Sequence, residues 1–128
     1  IKPTQKERES AVHLKLSVLS SVVKGKRLVL IDDSIVRGTT MASLIRMLKD
    51  AGATEVHVRI SSPPFLFPCY YGTDVPSNDQ LIASSHTAAE ICASIGADSL
   101  GYMKLEDLKQ MTGDLPLCKA CFDSHYPV

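Results

Sequence analysis

Apolar positions along the chain set the elements. Residues Pro3 to Val23 begin polar and then place Val12, Leu16, Leu19 and Val23 at helical spacing, which predicts a helix with one buried face, ended by Gly25. Leu28 to Asp32 is a short continuous apolar run, the pattern of a strand covered on both faces. Thr40 to Ala51 puts Met41, Leu44, Ile45 and Leu48 on one face of a second helix, with Thr39 or Thr40 able to cap it and Gly52 able to end it. Glu55 to Ser61 alternates and is rich in β-branched residues, so it reads as a second strand. Strand, helix, strand is a βαβ unit with parallel strands.

The proline-rich SSPPFLFPCYYG reads as irregular loop. Thr87 to Ile95 reads as a helix with a Thr87/Glu90 capping box and Gly96 as its stop. Ser99 to Met103 reads as a third strand and Leu105 to Met111 as a short helix. Residues 113–128 read as a loop-like tail. Alternating strands and helices predict an α/β fold with a parallel sheet. Three strands make a small sheet, which fits the C-terminal portion of a domain better than a whole one. The opening IKPTQKERES, with no Met, carries the same expectation of a piece from a longer protein. The expected division is 1–112 as domain portion and 113–128 as tail.

With 45% hydrophobic residues, 128 residues can form one core. Lys+Arg and Asp+Glu are 14 each, which gives no electrostatic case for nucleic acid or an anionic membrane. No apolar run is long enough for a membrane span. The expected location is the cytoplasm, where four cysteines point to free thiols or metal binding rather than disulfides.

The stretch RLVLIDDSIVRGTT carries the chemistry. In open parallel α/β sheets ligands bind at the carboxyl ends of strands, where Asp32 and Asp33 stand. The loop after them enters a helix whose free N–H groups and positive dipole end favour a phosphate. Gly38 allows close approach, and Ser34, Thr39 and Thr40 add hydroxyls. Anion cradle and paired carboxylates together suit a sugar phosphate: a phosphate at one end, a diol (or a hard cation held with it) at the other. The bland reading is two aspartates capping a surface turn, and spacing alone does not separate the two. The loop is neither a Walker A loop nor G-x-G-x-x-G. Cys118 and Cys121 form a C-x-x-C pair, and Cys69 stands alone after Pro68; a metal centre, a zinc site and free thiols all remain open on spacing.

VLIDDSIVRGTT resembles the phosphoribosyl pyrophosphate (PRPP) motif of type I phosphoribosyltransferases. KPTQKER before it, and AGATEVHVRISSPP, PCYYGTD, QLIASS, IGADSL and CKACF…YPV after it, resemble one family over nearly the whole chain: glutamine PRPP amidotransferase, or amidophosphoribosyltransferase. The resemblance implies a type I phosphoribosyltransferase fold, here its C-terminal portion. It implies transfer of glutamine-derived ammonia to PRPP, the first committed step of purine synthesis. Asp32 and Asp33 would bind the ribose hydroxyls with Mg²⁺ held beside them, and Ser34, Ile35, Val36, Arg37, Gly38, Thr39 and Thr40 would wrap the 5-phosphate. The family's N-terminal glutaminase domain and the first half of its phosphoribosyltransferase domain would lie outside this chain. Cys69, Cys118 and Cys121 would be three ligands of a [4Fe–4S] cluster, with the fourth cysteine before Ile1. The resemblance also implies a homo-oligomer and feedback inhibition by purine nucleotides, with Pro76 in a region adjoining nucleotide binding between subunits.

Other residues have plainer readings. Arg37 could contact phosphate or point to solvent. Lys15 reads as a solvated lysine, His57 as a paired strand histidine and Cys92 as a small core residue. Tyr70 and Tyr71 are expected to pack the Cys69 loop, while His13, His86 and His125 show no partner pattern. Two other functions share the motif: a salvage phosphoribosyltransferase acting on a free base, and a non-catalytic PRPP-sensing regulator. The flanking segments and the cysteines argue against the first; an upstream glutaminase domain would exclude the second.

Overall fold

A computed structural model describes residues 4–75 and 77–127, without the side chains of Glu9, Val12, His13, Lys15, Leu16 and Val18. The expectations for Val12, His13, Lys15, Leu16 and Pro76 therefore lie outside the described residues.

Helix α1 (Gln5–Val23) opens with a capping box that the sequence reading did not name: Thr4 accepts from the Glu7 N–H, and Glu7 accepts from the Thr4 N–H. Strand β1 (Arg27–Asp32), helix α2 (Thr39–Asp50) and strand β2 (Glu55–Ile60) follow. SSPPFLFPCYYG is irregular, as expected, and the sequence assigns no element to the stretch after it. That stretch contains a 3-10 turn (Asn78–Gln80) and the one-turn helix α3 (Ile82–Ser85). Helix α4 (Ala88–Ile95) has the predicted Thr87/Glu90 box and Gly96 at its end in the left-handed region. Strand β3 (Ser99–Tyr102), helix α5 (Asp107–Thr112) and helix α6 (Ala120–Asp123) complete the chain. That last turn interrupts a tail expected to be loop-like.

The sheet has order β1-β2-β3, and both pairs are parallel. Leu28, Leu30 and Asp32 stand opposite Val56, Val58 and Ile60, and the last two stand opposite Leu100 and Tyr102. Side chains alternate across a strand, so these residues share one face. On that face Val56, Val58 and Ile60 form a buried cluster with Val23 of α1, Met41, Ile45 and Leu48 of α2, and Ile91 and Ile95 of α4. This is the core.

The opposite face is bare at β1, against the expectation of a strand covered on both sides. Val29 is 65% exposed and Ile31 73%. A polar row continues that face across the sheet. Glu55 accepts from Arg27 at 2.9 Å and pairs with His57 Nε2 at 2.7 Å, while Ser99 Oγ meets His57 Nδ1 at 2.7 Å and accepts from Arg59 at 2.9 Å. The bonds from His57 and Arg27 lower the Glu55 pKa. His57 is thus the paired strand histidine expected. Arg59 lies over Gly101, where a Cβ would come within 2.9 Å of its Cδ.

A β1 edge with bare apolar side chains is a template for pairing with another strand. The isolated chain is expected to self-associate, and Ile31→Lys is expected to shift it toward monomer. Sedimentation velocity across a concentration series checks both. A monomer at every concentration without the substitution would contradict the reading.

Candidate functional site

The register of β1 on β2 delivers Asp32 to the end of the sheet, on the face where α2 packs. The Asp32 carbonyl accepts from the Ser61 N–H at 3.0 Å, which fixes the strand end. Its Oδ1 accepts from the Asp33 N–H at 2.9 Å. Residues 33–38 then turn the chain into α2. Ile35 is buried in the core and pins this loop from within. Gly38 occupies the N-cap position at φ 86°, ψ −13°, with no side-chain cap, so neither Thr39 nor Thr40 caps the helix as expected. Both lie inside the first turn. The first N–H groups of α2 therefore open outward without a side-chain acceptor, at the positive end of a 12-residue helix.

These groups share one cavity of about 410 Å³, lined by Asp32, Ser34 to Met41, and Asp74. Every predicted loop residue contributes to the wall, Ile35 through a stretch of chain whose side chain is core. Asp33 does not. Its Oδ1 instead accepts from Ser34 Oγ at 3.0 Å, and strand alternation directs it away from the α2 face. Asp74 was missed: it lies 42 positions beyond Asp32, in the irregular loop, and only its place in YGTDV signalled it. Arg37 is exposed and lines the cavity. Its guanidinium donates to Gln80 Oε1.

The cysteines form a second group. The tail is strapped to the 65–70 loop: Leu66 and Phe67 N–H donate to the Cys121 carbonyl at 2.9 and 3.1 Å, and Tyr126 Oη donates to the Pro68 carbonyl at 2.7 Å. Phe65 packs on Phe122 and Tyr70 on Tyr126, at ring separations of 5.2 and 4.9 Å. Tyr70 and Tyr71 both stay largely exposed and pack less than expected. N–H groups of Tyr71, Thr73 and Gly72 lower the Cys69 thiol pKa to about 7, toward the thiolate that binds metals. Burial raises that of Cys121, and the Cys69 and Cys118 thiols add to the rise through their charge. Among the described residues no three His, Cys, Asp or Glu side chains form a group that could hold a metal ion. Cys92 stands apart and donates to the Ala97 carbonyl at 3.3 Å.

Gly38 is the position where a side chain would disturb the site most. A Cβ there would meet Ile82 Cδ1 at 3.3 Å and Ile95 Cγ2 at 3.5 Å. Gly38→Ala is expected to lower stability by about 1–2 kcal/mol through the left-handed backbone alone, read by denaturant unfolding. An unchanged midpoint would show that the loop relaxes freely.

The phosphoribosyl transferase domain family matches residues 2–61. Over 130 residues and all of its length, the chain is 51% identical to the amidophosphoribosyltransferase of Synechocystis sp., of which it covers 26%. It is 53% identical over 127 residues to that of Methanocaldococcus jannaschii, covering 27% of it. Its fold superposes with TM-score 0.81 on glutamine PRPP amidotransferase from Bacillus subtilis complexed with ADP and GMP, at 45% identity over 99% of this chain and 29% of the other. A second structure, described as the allosteric regulatory enzyme of purine biosynthesis, gives 0.80 at 46% identity. The chain spans about a quarter of the length of the relatives it matches. With half its residues shared along nearly its entire length, and the type I phosphoribosyltransferase fold, the chain belongs to the amidophosphoribosyltransferase family.

Proposed function

We propose that the protein to which this chain belongs transfers glutamine-derived ammonia to PRPP, giving 5-phosphoribosylamine, pyrophosphate and glutamate. One observation carries the reading: the Asp32 carboxylate and the uncapped N-terminus of α2 open on the same cavity. The 5-phosphate seats on the first-turn N–H groups and the hydroxyls of Ser34, Thr39 and Thr40. Asp32 faces the ribose hydroxyls from the cavity wall, and Asp33 would join it by turning from the Ser34 hydroxyl whose bond it now accepts. The ammonia nitrogen forms a bond to the anomeric carbon as the carbon–oxygen bond to pyrophosphate breaks. The oxygen keeps the electron pair, and the nitrogen loses a proton. Positive charge spreads over the ring during this displacement, and a carboxylate fixed by the strand end stabilises it without reorganising.

Mg²⁺ fits the donor chemistry. It takes oxygen ligands, and one or two carboxylates suffice when substrate phosphates supply the rest. Asp32 and Asp33 would hold it, and bound there it would neutralise charge on the departing pyrophosphate. A [4Fe–4S] cluster would be held by Cys69, Cys118 and Cys121 with one upstream cysteine; the strap between the tail and the Cys69 loop supports this reading. The cluster's role is structural, joining the tail (113–128) to the domain portion (1–112). We also place the parent in the cytoplasm, as a homo-oligomer inhibited by purine nucleotides. Neither nucleic acid nor membrane is a partner; among the described residues no helix is long and apolar enough to cross a membrane.

The test is pyrophosphate release by the full-length protein, made without oxygen, with PRPP and Mg²⁺ and with glutamine, ammonia or a purine base in turn. Release with glutamine and ammonia but not bases is expected. Release with bases only would move the protein to salvage. PRPP binding without release would make it a sensor. Asp32→Asn is expected to cut kcat/KM about a hundredfold, and Asp33→Asn less, since Asp33 is not in the cavity wall. The 128-residue chain alone is expected to be inactive with glutamine. Cys121→Ser is expected to lose the visible absorbance of the cluster, and full absorbance in that variant would remove Cys121 from the ligand set.

A further inference from the structure

A loop that seats an anion on its N–H groups must hold them aimed before the anion arrives, or binding has to supply the ordering of the chain. Residues 36–38 meet that demand in its sharpest form. Gly38 stands at φ 86° with no side-chain cap, and a glycine leaves such a conformation readily, since both hands of the backbone are open to it. Ile35 anchors the inner side of the loop in the core. The outer side is held from behind, by a residue far along the chain.

Ile82, the first residue of α3, grips the loop twice. Its N–H donates to the Val36 carbonyl at 2.9 Å. Its side chain stands over Gly38, where a Cβ would come within 3.3 Å of Ile82 Cδ1. Val36 and Gly38 both line the phosphate cavity. Ile82 lies behind them, in the wall of a neighbouring cavity of about 520 Å³. One residue thus fixes both chain neighbours of Arg37, the first through the backbone and the second through contact. The grip is itself anchored. Leu81 is buried beside it, and Ser84 Oγ is bonded to the carbonyls of Asn78 and Leu81 at 2.9 and 2.8 Å. Ile82 also packs against the core cluster, so it cannot swing away from the loop without opening a void there.

We infer that Ile82 is a positioning residue for phosphate binding: with its N–H on Val36 and its side chain over Gly38, it holds the cradle in the shape that receives the anion. The inference rests on the function proposed above and extends it to a residue outside the cavity. Ile82 carries no charge and meets no reacting atom. Its effect therefore falls on binding of the phosphate end, equally before and during the displacement at the anomeric carbon.

The experiment uses the full-length protein and two readouts: PRPP kinetics, and the affinity for ribose 5-phosphate by calorimetry. Ile82→Ala removes the contact over Gly38 and keeps the N–H. It is expected to raise the KM for PRPP and the Kd for ribose 5-phosphate about tenfold, with kcat unchanged. Ile82→Val, which loses only the δ-carbon, is expected to raise both by a smaller factor. Ile91→Val is the matched control, since it removes the same group from a fully buried core position on α4. It is expected to lower the thermal midpoint and leave KM and Kd where they were. Unchanged KM and Kd in Ile82→Ala, or an equal rise in Ile91→Val and Ile82→Val, would overturn the inference. So would a fall in kcat and thermal midpoint with KM constant, the mark of a merely structural residue. If Ile82→Ala does not fold, the two valine variants decide the same question. A wild-type protein that binds ribose 5-phosphate but releases no pyrophosphate would refute the amidotransferase reading alone, and the Kd comparison would still decide the role of Ile82. A wild-type protein that does not bind ribose 5-phosphate would overturn both.

Discussion

Six residues of β1 pair in parallel with six of β2, and the register of that pairing governs what the site can do. It aligns Leu28 and Leu30 with Val56 and Val58, so that α2 has an apolar floor to pack on. The same alternation carries Asp32 onto that floor's upper end, beside the start of α2. A slip by one residue would send Leu28 and Leu30 to the bare face and point Asp32 away from the helix. The position of the carboxylate beside the uncapped helix end is therefore one consequence of the hydrophobic pattern. Burial of Val56 and Val58, both fully inaccessible, is what holds it.

Around this frame the loops are held by contacts between segments distant in sequence. Val36 and Arg37 are gripped by residues 80–82, and the Cys69 loop is gripped by residues 121–126. The two straps serve different ends. One fixes the shape of the cradle from outside. The other ties the tail that carries Cys121 to the Cys69 loop, whose N–H groups favour the Cys69 thiolate.

Much of this was legible in the sequence where local chemistry and burial agree. The faces of α2 and α4, the Thr87/Glu90 box and the alternation of β2 are each written in a short window. What escaped depends on distance. The 3-10 turn, α3 and α6 are single turns made by tertiary contacts rather than by propensity. Asp74 and Gln80 meet the loop only through folding. The N-cap was misread because Thr39 and Thr40 are good capping residues, whereas the left-handed Gly38 shifts the helix start and draws both into the first turn. Val29 and Ile31 were read as covered because a continuous apolar run says that something covers a strand, not that the covering element lies within the same 128 residues.

The absent cap on α2 couples order to occupancy. A helix that begins at glycine begins poorly, since its first donors have only water to satisfy them. A bound phosphate would supply the acceptors that a serine or aspartate gives elsewhere, so ligand binding and completion of the helix are the same event. A capping serine or aspartate at residue 38 would have to adopt the same left-handed backbone, so the residue the turn accepts is also the one that leaves these donors open.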